Sequence, residues 1–197
     1  MAYLREIELV FDAAAFQDGQ PNGPIDLWYI GATSDNPQPP SVDREYFLQL
    51  TRDYLRGLSQ AETPPSLMLG AVRAAWDRAR TLANQVRLVN LTFPTSINKT
   101  SDASIAIRST ILLVPLQTKV EVVFDIRSQG NPAGVEVTVA PNARVVYGEQ
   151  FNAAKMDEFL VTRTGKRILG RGEQKPVESW GDVLEELKQR LLTRGRK

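Results

Sequence analysis

Glu121 and Asp125 stand four positions apart in Lys119-Val120-Glu121-Val122-Val123-Phe124-Asp125-Ile126-Arg127. A pair of carboxylates at fixed spacing can do general acid–base work. Strand alternation puts both on an outward face, where carboxylates are ordinarily solvated charges. Gly165 to Gly172 is the one stretch that mixes glycine with basic residues, and such a loop can cradle a phosphate. It lacks the Gly-Lys-Ser/Thr ending and does not follow a strand, so it reads as a connection between helices. Lys166, Arg167, Arg171 and Lys175, with the tail Arg194-Gly195-Arg196-Lys197, offer contacts to phosphates. No aromatic residues are interleaved there and the net charge is +1, so nucleic acid is not an expected partner. Asn98-Lys99-Thr100 matches a glycosylation sequon, but no secretory signal accompanies it.

The chain has no Cys and no His. Disulfides, thiolate nucleophiles, zinc sites of the Cys/His kind and His-based triads are excluded. No catalytic, cofactor or metal residue is assigned. An enzyme reading is left with carboxylates or lysines acting on an unknown substrate, and it stands as the alternative to an interaction module. Lack of cysteine fits a cytosolic or nuclear setting.

The elements that would position any site centre on Arg87–Tyr147, which reads as an antiparallel meander. Val120, Val122, Phe124 and Ile126 alternate with mostly polar neighbours and share one face. Val135, Val137 and Val139 repeat the pattern after the turn-rich stretch 128–134. The expected strands are Leu88–Phe93, Ala103–Val114, Lys119–Ser128 and Gly134–Tyr147. Thr95–Asp102 reads as a polar turn, Pro115 ends a strand, and Pro141-Asn142 bends or splits the last one. Such a sheet has two edges, Leu88–Phe93 and Val135–Tyr147. The second supplies the candidate partner contacts Val135, Val137, Arg144 and Val146, because an exposed edge accepts a partner strand.

Before the meander, Tyr3–Phe11 and Ile25–Gly31 read as strands. Ser41 caps a helix of about five turns with Tyr46, Leu50, Tyr54 and Leu58 as its apolar stripe, widened by Phe47 and Leu55. Thr63-Pro64-Pro65 closes that part, and a long helix follows from Ser66 to Val86. After the meander, Asn152 caps a short helix, and Ser179 with Asp182 starts a final one carrying Trp180, Val183, Leu184, Leu187 and Leu191.

With 197 residues and 42% hydrophobic content, one ordinary domain or two small ones can bury a core. No apolar run approaches the roughly 20 residues of a membrane span. Charge is uneven: residues 1–62 hold 4 Lys/Arg and 10 Asp/Glu (net −6), and residues 63–197 hold 20 and 13 (net +7). The expected division is 1–63 and 64–197. The class is α+β: two units in tandem, an antiparallel meander packed by helices, with the first unit a shortened version of the second.

The order α-ββββ-αα from Ser66 resembles the RWD fold. Tyr-Leu-Arg-Glu-Ile-Glu-Leu-Val-Phe-Asp (3–12), Val-Glu-Val-Val-Phe-Asp-Ile (120–126) and Trp-Gly-Asp-Val-Leu-Glu-Glu-Leu (180–187) resemble the C-terminal tandem RWD region of the large outer-kinetochore scaffold, the Spc-seven, Knl-one or blinkin family. The usual Tyr-Pro turn motif of RWD domains is not visible. The resemblance implies a nuclear, centromeric module that binds the MIND linker complex through a short tail of one subunit. It also implies a preceding coiled coil, outside this chain, for a Zwint-type partner. It assigns no contact residue.

Overall fold

The structure, a computed structural model, describes residues 7–17, 22–30, 41–60, 62–131, 134–164 and 179–195; the side chains of 128–131 and 134–136 are not described. The chain forms two compact units, one of Met1–Thr81 with Gly130–Val135, the other of Leu82–Gln129 with Glu136–Lys197. The fold is α+β with antiparallel sheets and four helices. Among the described residues no helix is long and apolar enough to cross a membrane.

In the first unit β1 (Ile7–Phe11) pairs antiparallel with β2 (Ile25–Tyr29). Ile7, Ile25 and Leu27 are buried on one face, with Leu9 and Tyr29 beside them, as period-two alternation demands. Helix α1 (Val42–Arg56) covers β2. It has 15 residues, about four turns rather than five. Its buried stripe is Tyr46, Phe47, Leu48, Thr51 and Leu55, while Leu50, Tyr54 and Leu58 are only half-buried. The four-residue ladder of Tyr and Leu therefore flanks the core instead of forming it. Two arginines explain how α1 lies. Arg52 Nε donates to the Leu27 carbonyl at 2.7 Å and Arg56 Nε to the Ile25 carbonyl at 3.2 Å. Among the described residues β2 has β1 as its one paired strand, so the guanidinium groups satisfy part of its edge.

Helix α2 (Pro65–Asn90) starts with proline in its first turn, where a missing N–H costs nothing. In the first unit it buries Met68, Val72 and Trp76, and the Trp76 ring lies 5.9 Å from Tyr29 and 5.8 Å from the Arg44 guanidinium. The chain approaches itself closely at Gly23, where a Cβ would meet the Asp12 Cβ at 2.9 Å. Gln60, 3% exposed, clamps this point: its Nε2 donates to the Gly23 carbonyl at 2.8 Å and its Oε1 accepts from the Gly23 N–H at 3.0 Å. Gln60→Ala removes both bonds and leaves a part-buried N–H and carbonyl unpaired. The expected loss is about 1–3 kcal/mol in urea unfolding. A loss within experimental error would show that water replaces the clamp at no cost.

The second unit is built on a four-stranded sheet of order β3-β4-β5-β6: β3 (Thr95–Ser101), β4 (Ser104–Leu113), β5 (Thr118–Asn131) and β6 (Gly134–Tyr147). Register sets Ile105, Ile107, Ser109 and Ile111 opposite Ile126, Phe124, Val122 and Val120, and all eight are inaccessible to solvent. Ser109 is tolerated there because its hydroxyl lies 3.0 Å from that of Thr95. Pro115 sits in a short 3-10 turn, Val114–Leu116, that ends β4. β6 runs unbroken through Pro141, which an edge strand permits. Gly148 follows at φ 96°, packed on the Gln117 carbonyl, where a side chain has no room.

Helices α3 (Ala153–Thr164) and α4 (Trp180–Arg194) pack on each other, and α4 packs on β4. Trp180 is fully buried and stacks on Phe124 at 4.2 Å with 10° between planes. Asn152 Oδ1 accepts from the Lys155 N–H and Ser179 Oγ from the Gly181 N–H, so both helices have the expected caps.

Two expectations are corrected. Leu88–Phe93 is not a strand: α2 continues to Asn90, because Leu82, Val89 and Phe93 extend its buried stripe. The first strand of the sheet is instead Thr95–Ser101, the stretch expected to be a turn. Its polarity reflects an edge strand with little to bury: only Thr95 and Ile97 are half-covered.

Candidate functional site

The sheet has β3 and β6 at its edges. Of the four residues expected on the β6 edge, Val137 is 8% exposed and faces the core, while Val146 is 47% exposed. Val135 lies in β6, but its side chain is outside the described residues. Arg144 is exposed and fixed: its Nε and Nη2 sit 2.9 and 2.7 Å from Glu121 Oε1, which also lies 3.5 Å from Arg108. Glu121 thus joins β4, β5 and β6 by charge on the outward face. A carboxylate held between two arginines is an anchor for a surface. Arg144 and Val146, with exposed Tyr147, present one cation and two apolar groups along the edge. The edge at Leu88–Phe93 does not exist, and β3 takes its place.

The Gly165–Gly172 loop, the basic residues Lys166–Lys175 and residues 196–197 lie outside the described residues. Among the described residues no group of His, Cys, Asp or Glu gathers at metal-binding distance. Three carboxylates are held below their usual range, all at the surface: Asp102 by its bond from Lys99, Glu185 first by its bond from Gln189, and Glu186 first by its bond from Arg163. General acids or bases for neutral pH need shifts toward neutrality, and these go the other way.

Glu186 links the two helices, accepting from Arg163 of α3 and from Arg190 of α4. A carboxylate whose pKa is lowered on folding adds stability above its unfolded value, ordinarily 4.5, and that contribution is lost as pH falls through the lower folded value. Removing the partner in Arg163→Gln should move the Glu186 titration midpoint upward toward 4.5, read by carboxyl-carbon NMR. An unmoved midpoint would show that the Arg163 contact is not populated in solution.

The family model for the Knl1 RWD C-terminal domain matches residues 1–83. Residues 1–83 are similar to the Knl1 RWD C-terminal domain family. No curated protein and no solved structure matches the chain. The Knl1 match covers β1, β2, α1 and most of α2, the elements of the first unit. The stretch 3–12 that resembles the family falls inside it; the stretches 120–126 and 180–187 fall outside. The family it resembles over these residues is a kinetochore family that serves mitosis and chromosome segregation. RWD domains of this kind are protein-interaction modules, and kinetochore proteins are their partners.

Sequence reasoning did not foresee the surface of the first unit. Trp28 is 55% exposed, and so is the face around it. The signal was present: Ile25, Leu27 and Tyr29 share one parity and Asp26 and Trp28 the other. Since Asp26 marks the solvent side, Trp28 belonged with it.

Proposed function

We propose that the chain is a non-enzymatic kinetochore adaptor that docks its scaffold onto the MIND linker complex. Two RWD-like units in tandem, 1–63 and 64–197, make up the platform, the first shortened. A short peptide from the tail of one MIND subunit adds to the β6 edge, using Val135, Arg144 and Val146, while Val137, expected there too, faces the core and supports the strand from within. A Zwint-type partner binds a coiled coil that precedes the platform in the scaffold, at the nuclear centromere. The single observation that supports this reading most is the Knl1 match over residues 1–83. The sequence α2-β3-β4-β5-β6-α3-α4, an α-ββββ-αα order, adds to it. At this edge Asp157 already takes the Ala143 N–H at 2.6 Å, and an anchored Arg144 and an exposed Val146 flank that point; strand addition there gains affinity from backbone bonds and choice from side chains.

Titration calorimetry with peptides from MIND subunit tails tests it. One peptide should bind, and Val146→Asp should weaken it about tenfold, equivalent to about 1.4 kcal/mol, without lowering Tm. The exposed position makes that substitution harmless to the fold. No binding by any tail peptide at high micromolar concentration would overturn the proposal.

A further inference from the structure

Among the described residues, the outward face of the β1–β2 hairpin exposes apolar side chains beside two carboxylates. Ile7, Ile25 and Leu27 point into the unit, so Glu8, Val10, Asp26 and Trp28 point out. Val10 is 50% exposed, Trp28 55%, and Ile30, two positions beyond Trp28, 39%. Register puts Glu8 directly across from Trp28 and Val10 directly across from Asp26. Trp28 and Val10 are therefore diagonal neighbours on one face, close enough for an indole to span. No ring or hydrogen-bond partner engages Trp28 or Glu8 among the described residues. Asp26 differs: Arg56 already holds it at 2.6 Å. The face thus offers one open carboxylate beside one open indole, with two aliphatic side chains around them.

We propose that this face is a second docking surface, which takes a segment of a partner protein carrying Lys or Arg beside aliphatic residues. Charge decides the occupant. A cation seated over the Trp28 ring gains from its negative π-face and reaches the Glu8 carboxylate across the strand. The first unit, Met1–Thr81 with Gly130–Val135, holds 7 Lys/Arg and 11 Asp/Glu (net −4), so its field draws a basic segment and repels an acidic one. Tryptophan is among the residues that dominate binding energy at interfaces, and exposed apolar side chains rimmed by polar groups mark an interaction site. This surface stands apart from the β6 edge and does not depend on it.

Trp28 reports on its own occupancy, because Trp76 and Trp180 are 2% and 0% exposed. The full chain is titrated with a short synthetic peptide that alternates arginine with valine. Matched peptides carry glutamate or serine in place of arginine. Trp28 emission should shift to shorter wavelength and saturate with the arginine peptide alone. Glu8→Lys should weaken that binding at least about tenfold, the size of one interfacial charge pair. Trp28→Ala, followed by calorimetry, should abolish it. Glu158→Lys, a charge change of the same size on exposed α3, should leave it intact. Equal binding of the glutamate or serine peptide overturns the proposal, as does binding that survives Glu8→Lys or is lost in Glu158→Lys. A wild-type dimer in sedimentation that Trp28→Ala dissolves also overturns it, since the occupant is then a second copy.

Discussion

Val122→Asp is expected to destabilise the second unit by at least about 3 kcal/mol, lowering its Tm by roughly 6–12 °C. Val122 is fully buried at the centre of β5, and the residue opposite it on β4 is Ser109. A hydroxyl already shared with Thr95 cannot neutralise a carboxylate. The neighbours along the same face are Val120 and Phe124, which offer no cation. An aspartate there must either stay charged without a partner or take up a proton at a cost. Thr138→Asp, exposed on β6, gives the comparison and should stay within about 0.5 kcal/mol. Thermal unfolding followed by circular dichroism reads both. An unchanged melt for Val122→Asp would mean that the strand presents its other face to the core.

Trp180→Ala is expected to cost about 3–5 kcal/mol, near the upper end for a buried aromatic. The indole is stacked flat on Phe124 and fixes the start of α4 against the sheet. Its own backbone N–H is received by Gln85 Oε1 at 3.1 Å, which ties α4 to the last turns of α2. Deletion empties the volume over Phe124 but leaves this backbone tie in place. Trp180→Phe should cost much less: it keeps a ring over Phe124 and discards an indole N–H that has no partner. Chemical unfolding of both variants separates packing from simple loss of hydrophobic area. Equal costs for Ala and Phe would show that the stack contributes little beyond what the indole N–H forfeits.

These two positions also show what could be read from the chain. Val120, Val122, Phe124 and Ile126 gave an unambiguous period of two because both sides of β5 have neighbours and one face is dry. Trp180, Val183, Leu184, Leu187 and Leu191 gave an equally plain helical stripe, and all are buried. The α2–β3 boundary was illegible for a physical reason. Leu88-Val89-Asn90-Leu91-Thr92-Phe93 fits a strand by composition, yet Leu82, Val89 and Phe93 also continue a helical face, and α2 already has partners to bury it. Thr95–Ser101 carries no alternation because an edge strand with an exposed surface need not bury anything.

The candidate site was legible only in part. That β6 forms an edge followed from strand order, and Arg144 stands out as a charge in an apolar strand. That Arg144 is spoken for by Glu121 could not be foreseen, because the pairing depends on how β6 lies against β5. The caps on β2 by Arg52 and Arg56 are also invisible in sequence. They depend on α1 lying along a particular edge, which no local pattern encodes.

The docking role itself is tested most directly by amide shift mapping of the isotopically labelled chain with the MIND tail peptide that calorimetry selects. The account predicts saturable shifts running along Gly134–Tyr147, with those of Arg144 and Val146 among the largest. Shifts that bypass this strand entirely, or none at high micromolar peptide, would contradict it.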